Sequence, residues 1–132
     1  MSLKLEIVTP VGKALDVRVD SVTAPGQAGE FTVLPEHRPG VVLLSGGAIR
    51  YEGPDSGTII VSGGVAEVGP DHVLVLADDA VLPANVDRAA AQALLDASAQ
   101  KLASAEFLDD ERLGAVERSR AYAEAMLRGA VH

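Results

Sequence analysis

Val73-Leu-Val-Leu-Ala-Asp-Asp-Ala-Val-Leu-Pro83-Ala-Asn-Val-Asp-Arg-Ala-Ala-Ala91 passes from one kind of local pattern into another. Val73 to Leu76 is apolar throughout, as expected of a strand covered on both faces. Beyond Pro83 the chain turns alanine-rich, and Asn85 or Asp87 is placed to cap a helix. Outward from this junction the two sides stay different. All seven prolines and 11 of the 13 glycines lie in 1–83, with 22 Val, Ile and Thr residues there against three in 84–132. Alanine runs the other way, with seven before the boundary and 14 after it. β-Branched runs punctuated by Gly and Pro form short strands, whereas an Ala-rich stretch with few breakers forms helix. Two domains are expected: a β half over 1–83, sandwich or barrel, and an antiparallel α-helical hairpin over 84–132.

In the β half, Leu3, Leu5 and Ile7 alternate with Lys4 and Glu6. Val17 and Val19 alternate with Arg18 and Asp20, and Val22 to Ala24 continue that strand. Further strands are expected at 30–34, 41–44, 48–52, 58–61, 64–68 and 73–77. Turns fall at Pro25-Gly26, Ser45-Gly46-Gly47, Gly53-Pro54 and Gly69-Pro70. In the helical half, Ala91, Leu95, Ser98 and Leu102 trace one seam. Leu113, Val116, Arg120, Ala123 and Leu127 trace the other, with a turn at Ser104 to Leu108 and a cap at Asp109 or Asp110. Alanine seams bury little surface, so the hairpin depends on docking to the β half or to another protein.

Composition narrows the function. Only Phe31, Tyr51, Phe107 and Tyr122 are aromatic, and the net charge is −8, so bases find few rings and phosphates are repelled. Nucleic acid is excluded as a partner, and so is an electrostatic hold on an anionic bilayer. There is no cysteine, hence no disulfide or thiolate site. No apolar run approaches the roughly 20 residues of a membrane span, and Met1-Ser-Leu-Lys-Leu-Glu6 lacks a signal-peptide core, so a cytosolic chain without direct membrane insertion is expected. His37, His72 and His132 are widely separated and have no metal-ligand spacing. Gly26-x-x-Gly29 and Gly63-Gly64 do not open helices, so they read as turns rather than phosphate cradles. Asp78-Asp79 reads as a strand-end turn, and no Gly-x-Ser-x-Gly elbow occurs. Nothing assembles a nucleophile, a base and an oxyanion donor. No catalytic residue, metal or cofactor is assigned, and an enzyme acting alone is disfavoured.

The stretch from Val22 to Pro39 carries the most specific signal. It sets Glu30 and His37 beside turns made by Gly29, Pro35 and Pro39, where loops commonly hold contacts. Six pieces then recur in order: Val8-Thr-Pro-x-Gly12, Pro25-Gly-x-x-Gly-Glu30, Val33-Leu-Pro-x-His-x-Pro39, Val61-x-Gly-Gly64, Glu67-Val68 and Val75-Leu-Ala-Asp78, with Val86-Asp87 opening the tail. Together they resemble the epsilon-subunit family of F-type ATP synthases (delta in mitochondrial naming). The resemblance implies a flattened β-sandwich followed by two antiparallel helices. It also implies a non-catalytic subunit at the foot of the central stalk, which couples rotor-ring rotation to the gamma subunit and the catalytic hexamer. By it, Glu30 is a loop acid facing the membrane ring of c subunits, and His37 lies near gamma. The C-terminal helices would reach the alpha and beta subunits and regulate ATP hydrolysis. The location implied is peripheral, on the cytoplasmic face of the bacterial plasma membrane.

Some members of that family bind ATP through an Ile/Val-Asp-x-x-Arg-Ala run with a glutamate shortly before it. Here Val86, Asp87 and Arg88 are remnants of that nucleotide site, for Ala90 stands where the arginine belongs and Val81 where the glutamate would be. Arg88 points about 200° away around the helix. The resemblance therefore implies weak ATP binding or none. The tail cations Lys101, Arg112, Arg118, Arg120 and Arg128 read as a solvated face paired with Asp96, Glu117 and Glu124. The competing reading is a free-standing β-sandwich binding or sensor module that dimerises through its hairpin, which requires a concave aromatic or polar pocket.

Overall fold

The computed structural model describes residues 2–104 and 109–129. The β half contains β1 (Leu3–Thr9), β2 (Gly12–Val19), β3 (Ser21–Gly26), β4 (Gly29–Val33), β5 (Gly40–Leu44), β6 (Gly47–Glu52), β7 (Gly57–Val61), β8 (Gly64–Val68), β9 (His72–Leu76) and β10 (Ala80–Val81). A single 3-10 turn at Pro83–Asn85 leads into α1 (Arg88–Ala103), and α2 spans Asp110–Gly129. The expected β-sandwich with a following helical hairpin is the fold observed.

Hydrogen bonding runs continuously in the order β10-β7-β6-β3-β5-β8-β9-β1-β2, with β4 paired to β3. The β1·β9 pair is parallel and the others are antiparallel. The link between the two layers is thin. β3 meets β5 only where Gly26 faces Leu44, so the sheet folds over at that point. Alternation then decides what lies inside. Leu3, Leu5, Ile7 and Val75 from one layer meet Val22, Val33, Ile49 and Ile59 from the other in one buried cluster. Sequence spacing of two is what places them there.

Several local expectations need correction. The run 17–24 is two strands, because the chain changes layers at Asp20, whose N–H donates to the Glu52 carbonyl at 2.7 Å. Pro25-Gly26 lies within β3 rather than forming a turn, and the tip of the β3–β4 hairpin is Gln27-Ala28. Proline is tolerated because this end of β3 is changing partners, and its carbonyl accepts from the Ser45 N–H at 2.9 Å. β10 was not foreseen. Val73 to Leu76 is covered on one face only: Val73 and Val75 are buried, while Leu76 is 52% exposed.

Asp87 is the N-cap of α1, accepting from the Ala90 N–H at 3.1 Å. Asp109 does the same for α2 by accepting from Arg112 N–H at 2.8 Å. Ala91 and Ser98 of α1 and Ala123 of α2 are buried along the expected seams. The helices run antiparallel, since Arg88 at the start of α1 donates to the Leu127 carbonyl near the end of α2 (3.4 Å). Of the turn expected at Ser104 to Leu108, residues 105–108 lie outside the described residues. α2 docks on β6 and β7, while α1 packs on α2. Ile60 is consequently buried between sheet and helix although it points away from the sandwich core.

Candidate functional site

The outward side of β5, β8, β9 and β1 is unusual for a protein surface. Register places Leu43, Val65, Leu76 and Val8 in one row across the four strands. The next row is Val41, Glu67, Leu74 and Glu6. Leu43 is 54% exposed and Leu76 52%, with Val65 and Val8 half-buried, so the first row is an open apolar strip with carboxylates along its flank. A cleft of about 390 Å³ lined by Val8, Pro10, Val65, Leu76 and Asp78 adjoins it. Contiguous apolar area of this kind marks a contact surface for another protein. Our sequence reading missed it by taking 73–76 as doubly covered. The signal was present, because 41–44 and 73–76 both lack the polar alternation of a solvated strand.

Glu30 lies in β4 rather than on a loop, two residues beyond the hairpin tip, and its side chain is exposed. It is not a bare carboxylate: Arg50 of β6 reaches it with Nη2 3.0 Å from Oε2. Between them β3 presents Thr23, whose hydroxyl is 3.0 Å from that of Thr32. His37 does lie on a loop and is half-buried, with Nδ1 2.8 Å from the Arg38 carbonyl. That loop is pinned by the Glu36 N–H donating to the Pro70 carbonyl at 2.7 Å, with Glu36 at φ 71°. Glu30 and His37 therefore sit at opposite ends of β4 and form no joint site.

A second cluster, unremarked in the sequence, adjoins the 34–39 loop. His72 has Nε2 3.1 Å from Glu67 and Nδ1 3.2 Å from Asp71. A neutral imidazole has one N–H and can donate to only one of them, so the pair favours imidazolium. The Asp71 bond, then the Glu67 bond, raises the His72 pKa above its ordinary 6.5. The sign follows. The clasp stabilises the fold fully below pH 6.5 and its contribution fades as pH rises through the elevated folded-state value. NMR titration of the His72 ring should give a midpoint above 6.5 that Asp71→Asn moves back down. A wild-type midpoint at or below 6.5 would rule out the clasp.

At the tail's entry, the Asp87 carboxylate is occupied in capping α1, and Arg88 is turned to α2. Val86 follows the 3-10 turn with extended backbone. The three residues are adjacent, but the two charged groups serve the helices. Among the described residues no helix is long and apolar enough to cross a membrane.

Residues 2–83 match the family profile described as "ATP synthase, Delta/Epsilon chain, beta-sandwich domain". An ATP synthase epsilon chain of Granulibacter bethesdensis is 38% identical over 130 residues, covering 97% of this chain and 96% of the relative. That of Syntrophobacter fumaroxidans is 44% identical over 102 residues, 76% of each chain. Among solved structures, a chain of the Euglena gracilis mitochondrial ATP synthase (OSCP/F1/c-ring) superposes with TM-score 0.74 at 22% identity, covering 99% of this chain and 82% of that one. One from the Tetrahymena thermophila mitochondrial ATP synthase central stalk and c-ring gives 0.63 at 13% identity, with 98% and 97% covered. At such identities these two likenesses speak for the fold.

Proposed function

The chain belongs to the ATP synthase delta/epsilon family, and from that premise we propose that it is the central-stalk subunit linking rotor-ring rotation to the gamma subunit and the catalytic hexamer. It is a subunit of the complex with a structural and regulatory role rather than a catalytic one. The observation that carries the finer reading is the apolar strip of Leu43, Val65, Leu76 and Val8. A rigid sandwich with one such face bare to water gains by burying it on a partner, and gamma is the partner this reading assigns. Exposed Glu30 and the His37 loop are then polar contacts, Glu30 toward the c ring and His37 toward gamma. Rim charges of this sort orient a complex more than they tighten it.

The same reading divides the chain into a sandwich domain, 1–83, and a hairpin domain, 84–132. Its support is that no helix residue enters the buried sandwich core, which is built from the strands and Ala77 just after β9. The helices are assigned contacts with the alpha and beta subunits and an effect on ATP hydrolysis. Val86, Asp87 and Arg88 are assigned no working nucleotide site, which is supported by the capping role of Asp87 and the reach of Arg88 to Leu127. The place in the cell is peripheral, on the cytoplasmic face of the plasma membrane, held there by the complex.

The test is recovery of partners from detergent-solubilised membranes through a tagged chain. The wild type should bring down gamma and the catalytic subunits. Leu76→Asp should weaken gamma binding strongly, because a buried leucine contributes about 2 kcal/mol, roughly a factor of 30. Its exposure in the free subunit means the fold should survive. Undiminished recovery with Leu76→Asp would remove the strip from the interface.

A further inference from the structure

We propose that Arg50 is a positioning residue for Glu30, setting where that carboxylate stands for the ring; the proposal rests on the reading of Glu30 as a ring contact. Glu30 sits on β4, which pairs only with β3 and lies off the main path of the sheet. A carboxylate at such a margin, 59% exposed, has no reason of its own to keep one direction. Arg50 supplies one. Register puts Thr32, Thr23, Arg50 and Thr58 in a row on the outer face of β4, β3, β6 and β7. Glu30 is two residues from Thr32 and shares that face, so the guanidinium crosses over β3 to meet it at 3.0 Å. A single charged contact from a central strand thus anchors an acid on a marginal one.

The far side of Arg50 is also shaped. Next along the outer face, Ala48 pairs with Ile60, and there α2 is seated. A cleft of about 320 Å³ between helix and sheet is lined by Ala48, Arg50, Thr58, Ala125 and Arg128. Arg128 brings a second positive charge to the cleft, and like charges favour the direction in which Arg50 turns toward Glu30. Glu52, the next acid along β6 on this face, is exposed and has no ion pair with Arg50. The surface offered to the ring is therefore an oriented ion pair that sets a donor and an acceptor side by side.

The experiment uses the assembled complex in proteoliposomes and measures proton-driven ATP synthesis for Glu30→Gln, Arg50→Gln, Arg50→Lys and the double Glu30→Gln/Arg50→Gln. Melting of each isolated chain is followed alongside. Each Gln single should lower synthesis about two- to fivefold, the span of an exposed charge pair. The double should be no lower than the worse single, and Arg50→Lys should recover most of the loss. Melting should be unchanged, since both side chains are half in water. If Glu30→Gln impairs synthesis and Arg50→Gln does not, the positioning role is wrong and the Glu30 reading stands. If neither matters, the Glu30 reading fails and takes the proposal with it. Losses that add in the double would show Arg50 acting by itself, which also overturns it.

Discussion

Gly64→Ala should destabilise the sandwich by at least about 3 kcal/mol, lowering its melting temperature by roughly 10 °C or more. Two independent effects combine there. Gly64 opens β8 at φ +138°, a backbone region that side chains strain by about 1–3 kcal/mol. A Cβ at this position would also collide with the Leu76 carbonyl oxygen and lie 3.0 Å from the carbonyl carbon and 3.1 Å from Ala77 Cα. These are backbone atoms of β9 and the residue after it, so no rotamer change relieves them. Gly12 provides the internal comparison. It has φ +131° with nothing within 4 Å of the missing Cβ, so Gly12→Ala carries strain without collision. Urea unfolding of the two variants separates the terms. Equal losses in the two would mean that close packing at Gly64 contributes nothing.

The division of the chain was legible because it is a local matter: proline stops at Pro83, glycine becomes scarce beyond it and alanine becomes common. The alternation of Leu3, Leu5 and Ile7 likewise showed which side of β1 is inside, and all three are fully buried. What local pattern does not contain is the identity of a strand's neighbour. Ile59-Ile60-Val61 and Val73 to Leu76 look alike as short apolar runs. The first is covered on both sides because α2, some 60 residues later, lies over Ile60, whereas the second keeps Leu76 in water. The change of layer at Asp20 was hidden for the same reason, since the chain stays extended while its partners change from β1 to β4 and β6. Glu30 and His37 stood out through their turns and a family pattern. Arg50 did not, because its partner is 20 residues away and the pairing crosses an intervening strand.

Gly46→Val should release the hairpin while leaving the sandwich folded. A Cβ on Gly46 would stand 2.6 Å from the Arg118 carbonyl and 2.7 Å from the Tyr122 backbone nitrogen. The middle of α2 thus rests directly on the β5–β6 turn, and only a residue without a side chain lets it do so. Gly46 itself is not at positive φ, so valine is acceptable there once the helix has left. The seat is made of Ala48, Ile60, Ala125 and Gly129, with Arg118 over Gly63 and Tyr122 half-buried beside it; Ile60 contributes about 2–3 kcal/mol and the small residues less. A backbone collision of a few kcal/mol is comparable with that total, so the balance tips to the undocked state. Tyr122 reports the outcome. Burial first, and then Asp79, raises its hydroxyl pKa above the ordinary 10.0 in the docked chain. Alkaline NMR titration of Tyr122 in Gly46→Val should bring the midpoint down toward 10, while thermal melting of the β-sheet signal is retained. Because the Arg88 to Leu127 bond joins the two helices to each other and not to the sheet, helical content should fall only as far as the freed pair frays. A Tyr122 midpoint that stays high in the variant, or a sandwich that melts with the hairpin, would show that docking does not turn on Gly46.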